Sequence, residues 1–107
     1  MDDLLSEQAA ADALAALGNR TRLRLFKLLV RAGTDGLIVG DVQRHMDMPA
    51  STLAHHLAAL TRAGLVVQAR NGREVVCTAD YGAMQQLLGW LTQECCAGVP
   101  CRSGMVA

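Results

Sequence analysis

The chain has 107 residues, ten basic against ten acidic, and 51% of it is hydrophobic. One domain is expected at this length, over residues 1–107 with 97–107 as a short C-terminal tail. Its longest uncharged runs are short, alanine-rich or broken by glycine, which excludes an apolar helix able to span a bilayer. The start Met1-Asp2-Asp3 is the reverse of a basic secretory leader, so a cytoplasmic protein is expected. Phe26, Tyr81 and Trp90 are the only aromatic residues, too few for a single-strand binder that stacks bases. A chain this small exposes much of its surface, and oligomerisation would help it.

The neutral total conceals an asymmetry. Residues 1–12 carry Asp2, Asp3, Glu7 and Asp12 and no base, whereas residues 20–31 carry Arg20, Arg22, Arg24, Lys27 and Arg31 and no acid. Residues 49–73 add Arg62, Arg70 and Arg73 with His55 and His56, again without an acid. Local basic surfaces, rather than net charge, matter for nucleic acid. Arginine, with its planar fork, suits phosphates and base edges better than lysine does. Taken alone, such clusters are better explained as solvated helix faces.

In chain order, residues 4–17 form the first expected helix, alanine-rich and ended by Gly18. Asn19 caps a second over 20–32, whose apolar set is Leu23, Phe26, Leu29 and Val30. Residues 33–36 (Gly-Thr-Asp-Gly) read as a loop. A short third helix over about 40–47 pairs Val42 with Met46. Pro49 suits the first turn of a fourth, which runs to about Ala63 with Leu53, Leu57 and Leu60 as its inner stripe. Two β-branched runs follow, 65–70 and 73–78, with Asn71-Gly72 between them, a strong signal for a two-residue hairpin in which both turn positions take positive φ. Asp80 caps a last helix over about 81–96, with Met84, Leu87, Leu88 and Leu91 at helical spacing.

The order α-α-α-α-β-β-α, mainly α with a β-hairpin, is that of a winged helix-turn-helix. Its second reading helix enters a major groove only if its outer face is small and polar. Here that face offers Ser51, Thr52, His55 and His56, although His56 could equally pack against the hairpin. Arg62 near the helix end could reach a phosphate. The hairpin tip offers Arg70, Asn71 and Arg73, a narrow basic tip suited to a minor groove.

At these residues the chain resembles the ArsR/SmtB metal-responsive transcriptional repressors. The resemblance rests on Ala16-Leu17-Gly18-Asn19-Arg20-Thr21-Arg22-Leu23-Arg24-Leu25, on Ser51-Thr52-Leu53-Ala54-His55-His56-Leu57, and on Leu60-Thr61-Arg62-Ala63-Gly64-Leu65-Val66. It covers about residues 12–95. It implies a homodimer joined through the first and last helices, bound to double-stranded operator DNA at an imperfect palindrome and released by an inducer ion. Many relatives have serine where this chain has Ala54, whose methyl could instead meet a thymine methyl.

The family's inducer sites lie in different elements, so the signal must come from this chain's own residues. One type of relative uses Cys-Val-Cys-Asp-Leu in the third helix; the matching Ile38-Val39-Gly40-Asp41-Val42 lacks both thiols. Another binds zinc with Asp and His on the last helix; here the histidines are His45, His55 and His56, so that site cannot be built. Three thiols within seven residues remain: Cys95, Cys96 and Cys101. With Gly98 and Pro100 reversing the chain, they could form a three-thiolate cup. Soft thiolates select thiophilic ions, and three sulfurs suit As(III) or Sb(III), whose lone pair fills the fourth direction. The arsenic-responsive branch, with a C-terminal Cys-Cys pair and a third cysteine downstream, looks similar.

A thiol redox switch or another soft-metal sensor stays open as an alternative. In it Cys101 would pair with Cys95 or Cys96, because neighbouring Cα atoms about 3.8 Å apart strain a vicinal disulfide. Incidental cysteines in a tail are a further alternative. Cys77, in mid-strand, reads as a small buried hydrophobe, with a role as an extra ligand as the lesser option. No enzyme is expected. A thiol oxidoreductase would place Cys-x-x-Cys at a helix N-terminus, and no phosphate-cradling loop or catalytic Ser/His/Asp set is present.

Overall fold

A computed structural model describes residues 5–93 and Gly98. Three helix starts are written in side-chain caps. The Ser6 hydroxyl accepts from the Ala9 amide at 3.0 Å and opens α1 (Glu7–Leu17). The Asn19 carbonyl oxygen accepts from the Arg22 amide at 3.1 Å and opens α2 (Arg20–Ala32). Asp80 accepts from the Ala83 amide at 3.0 Å and opens α5 (Tyr81–Thr92). Each such cap satisfies an amide that helical bonding leaves orphaned, worth about 1 kcal/mol.

Between α2 and α5 lie β1 (Leu37–Ile38), α3 (Val39–Met46), α4 (Ala50–Arg62), β2 (Val66–Asn71) and β3 (Glu74–Ala79). Asp47 takes the left-handed conformation (φ 52°, ψ 58°) and closes α3 through its amide on the Gln43 carbonyl, a backbone state that aspartate tolerates better than most residues. Pro49 is the residue that caps α4 rather than a member of its first turn. The fold is a winged helix-turn-helix, in the order expected, with one additional strand.

That strand is the first correction. β1 pairs antiparallel with β3 (Leu37 with Cys77, Ile38 with Val76), giving the sheet order β1-β3-β2. Two residues are too few to show a period of two, so only tertiary pairing defines them. Gly36 makes the approach possible. Its φ of 70° and ψ of −165° lie in a region open essentially to glycine. A Cβ there would overlap the Cys77 carbonyl oxygen and the Thr78 methyl.

The hairpin turn is the second correction. Asn71 pairs with Glu74, so the turn residues are Gly72 and Arg73, not Asn71 and Gly72. Gly72 alone has positive φ (67°), the pattern of a turn with glycine at its first central position. The strands accordingly sit one residue later than their composition suggests.

The third correction concerns α5, which ends at Thr92 rather than near residue 96. The Thr92 hydroxyl donates to the Leu88 and Gly89 carbonyls, and Gln93 leaves the helix with ψ 136° while its amide bonds the Trp90 carbonyl. The last-turn acceptors are thus taken locally.

The core is mainly aliphatic, with Phe26 of α2 its one buried aromatic residue among the described residues. Leu25 and Leu29 of α2, Val42 of α3, Leu53 and Leu60 of α4, and Cys77 of β3 are fully buried, with Leu57, Leu65 and Val66 nearly so. α1 contributes alanines, Ala10, Ala13 and Ala16, whose small side chains let the helix lie close. Helical spacing located the helices but not every neighbour. Leu14, Leu23, Leu88 and Leu91 remain 41–53% exposed in the single chain. Tyr81 ties the start of α5 to the end of α2 by donating to the Val30 carbonyl at 2.9 Å.

Leu29→Ala should cost about 2–5 kcal/mol, as a buried leucine truncation does, measured by urea denaturation. Gly36→Ala, which changes far less volume, should cost about 1–3 kcal/mol from backbone strain and more from the overlap at Cys77.

Candidate nucleic-acid interface

α4 is amphipathic by arithmetic. Leu53, Leu57 and Leu60 recur at helical spacing and turn inward, so Ser51, Thr52, Ala54 and His55 are left on solvent. Pro49 contributes no side-chain cap. The first amides of α4 therefore project from the same end as Ser51 and Thr52, where they favour an anion. Arg62 is exposed in the last turn.

The two histidines divide. His55 is exposed, whereas His56 is half-buried and its Nδ1 is enclosed with no hydrogen-bond partner among the described residues. Their rings meet edge to face, centroids 5.7 Å apart. Burial pushes the His56 imidazole below its usual range, and the nearby Arg22 guanidinium and His55 push the same way. Arg22 is held in place by donating from Nε to the Ala16 carbonyl at 2.8 Å. His56 is thus the more enclosed of the pair, and Ser51, Thr52 and His55 lie fully on the solvent face of the helix.

At the hairpin tip Arg70, Asn71, Gly72 and Arg73 are all exposed. The hairpin is locked to α4 by a short chain of bonds that the sequence alone did not reveal. Gln68 of β2 donates to the Thr61 hydroxyl at 3.0 Å, and Thr61 donates to the Leu57 carbonyl at 2.7 Å. Nothing in a seven-residue separation between different elements signals such a pair. Its effect is to fix the angle of the wing to the helix.

Cys77 is buried in β3 as expected, and burial pushes its thiol up, away from the reactive thiolate. Among the described residues no group of three or more His, Cys, Asp or Glu side chains is placed to hold a metal ion. Cys95, Cys96 and Cys101 lie outside the described residues.

His56 makes stability pH-dependent. The folded chain disfavours its imidazolium, while the unfolded chain takes up the proton near pH 6.5. The stability it contributes is therefore complete above that pH and lost as pH falls below it. Urea midpoints at pH about 7.5 and about 5.5 should show a loss on acidification that shrinks in His56→Gln.

Residues 17–69 match a family model described as a helix-turn-helix domain. A Halobacterium salinarum protein named for repression of an arsenical resistance operon is 35% identical over 66 residues, covering 62% of this chain and half of the relative. The chain thus spans about half the length of that relative. A solved structure of a possible transcriptional regulator for arsenical resistance is 31% identical, with a TM-score of 0.66, covering 75% of this chain and 80% of its own. The homodimeric winged helix-turn-helix DNA-binding domain of a possible ArsR-family regulator from Mycobacterium bovis shares the fold at 22% identity, with a TM-score of 0.66 and 81% of each chain covered. Element order, reading helix, wing and these similarities converge: the chain belongs to the ArsR/SmtB family of winged helix-turn-helix transcriptional regulators, and neither its fold nor its family is that of an enzyme.

Proposed function

We propose that this repressor works as a homodimer that leaves its operator when As(III) or Sb(III) binds Cys95, Cys96 and Cys101. The observation that carries the sensor half is three thiols within seven residues, directly after α5 in the chain. The haloarchaeal relative, named for an arsenical resistance operon, supports the same class of signal. Three soft sulfur donors fit a trivalent metalloid, which displaces their protons on binding. The metalloid supplies only the three-way bond to sulfur; the protein supplies the coupling.

The dimer would use the leucines that the single chain leaves exposed on α1 and α5, Leu14, Leu88 and Leu91. The homodimeric state of the M. bovis domain supports that assignment. Ser51, Thr52 and His55 would contact base edges, with Ala54 facing a thymine methyl. Arg62 would meet a phosphate, and Arg70, Asn71 and Arg73 would meet backbone or minor groove. His56 stays with the packing of the helix. The metalloid can act only by preferring the DNA-incompetent state, with a typical coupling of about 1–3 kcal/mol. No described helix is long and apolar enough to cross a membrane; a cytoplasmic setting would keep the thiols reduced.

Fluorescence anisotropy on the DNA upstream of the chain's own gene, under reducing conditions, tests this reading. Stoichiometric arsenite should release the DNA and zinc should not. Cys95→Ser, Cys96→Ser or Cys101→Ser should each bind DNA normally and resist release. Tight binding that ignores arsenite but yields to an oxidant would replace the cup with a redox switch. In the same assay Arg70→Ala and Arg73→Ala should each flatten the slope of log affinity against log salt by about 0.9 per lost phosphate contact. An unchanged slope would remove the wing from the interface.

A further inference from the structure

The bases of α2 have no part in the surfaces described so far. Arg22 is turned inward, but Arg24, Lys27 and Arg31 repeat along the exposed side of the helix. They border a cavity of about 500 Å3 between α2 and the end of α3, a volume in the range of small-molecule sites. His45 stands on the α3 side, and the apolar surface comes from Leu23, Leu28 and Met46. Leu23 is 46% exposed, an apolar surface that costs free energy in water unless something covers it. Residues 20–34 contain no acid, and among the described residues the one ion pair is Arg44 with Asp41, so no described carboxylate pairs with Arg24, Lys27 or Arg31.

Operator DNA is a poor candidate for this face. α2 and α4 bury Leu25, Leu29, Leu53 and Leu57 in one core, so the core lies between the basic side of α2 and the solvent side of α4. A DNA backbone would also gain nothing from Leu23 and Met46. A charged head on an apolar body satisfies both halves of the cavity at once.

We propose that this cavity binds a small organic anion, its carboxylate or phosphate head on Arg24, Lys27 and Arg31 and its apolar body on Leu23, Leu28 and Met46. Guanidinium groups hold such heads through paired, charge-assisted hydrogen bonds. The site is separate from the thiols, so this assignment stands or falls independently of metalloid sensing.

Methyl NMR of the full chain, with leucine and methionine methyls labelled, tests it using dodecanoate below its micelle concentration. Dodecanoate should shift the Leu23, Leu28 and Met46 methyls saturably, whereas dodecanol and dodecyltrimethylammonium should bind at least about tenfold more weakly, having lost the charge-assisted bonds. Arg24→Gln/Lys27→Gln, both exposed, should keep the fold and operator affinity and weaken dodecanoate about tenfold or more. Dodecyl phosphate in place of dodecanoate distinguishes the two head groups. Absent shifts, equal binding of the alcohol, or indifference to the double variant would overturn the proposal. So would stronger shifts of the same methyls by a short random-sequence duplex or an acidic peptide, either of which would make the face a macromolecular contact.

Discussion

The leucines of α4 pack against those of α2, and the disposition of nearly every exposed side chain follows from that contact. With Leu53, Leu57 and Leu60 buried beside Leu25 and Leu29, the rotation of α4 about its own axis is settled, since a helix has one residue every 100°. Each fully buried leucine contributes about 1.5–3 kcal/mol relative to exposure. No exposed polar residue on α4 could compete with that term. Ser51, Thr52 and His55 face water because the leucines do not.

The polar interactions act on a smaller scale and for a different purpose. The caps at Ser6, Asn19 and Asp80 set where helices begin. The Gln68–Thr61 bond joins two exposed groups and adds little stability, yet it removes a rotational freedom between wing and helix. Hydrophobic burial chooses the fold, and these short bonds narrow its angles. A surface that must meet a rigid duplex at two places gains from such narrowing, because freedom lost before binding is not lost on binding.

How much of this could be read from the residues varies with the range of the interaction. The Asn19 and Asp80 caps, the leucine stripe of α4 and the glycine after it are local, and α2, α4 and the start of α5 are where the sequence puts them; α1 begins three residues later than expected, at Glu7 behind the Ser6 cap, which its alanine-rich composition did not mark. β1 could not be read, because Leu37 and Ile38 become a strand only when Val76 and Cys77 arrive beside them. The turn was misplaced by one residue because Asn-Gly is a strong local preference that the strand register overrode at Asn71 and Glu74. Leu23, Leu88 and Leu91 read as core residues by spacing, and spacing cannot tell a chain's own core from a surface left open by the single chain. The sequence leaves His56 balanced between groove and packing; its enclosed Nδ1, against the exposed side chain of His55, sets the two apart. The thiol cluster was legible as chemistry alone, three soft donors close together.

The two contacts at the head of α5 have a mechanical meaning. Asp80 caps the helix and Tyr81 is bonded to the end of α2, so that end is pinned, while the far end at Thr92 is exposed on the single chain. Twelve residues of helix span about 18 Å at 1.5 Å each. A rotation of about 10° around the pinned end would carry Thr92 through about 3 Å, on the order of the shifts by which switching helices move. α5 is in that sense a lever with its fulcrum at Tyr81. Because Leu87 and Trp90 also seat the far half of α5 on the core, a displacement of that end is passed both to the end of α2 and to the core on which the reading helix rests.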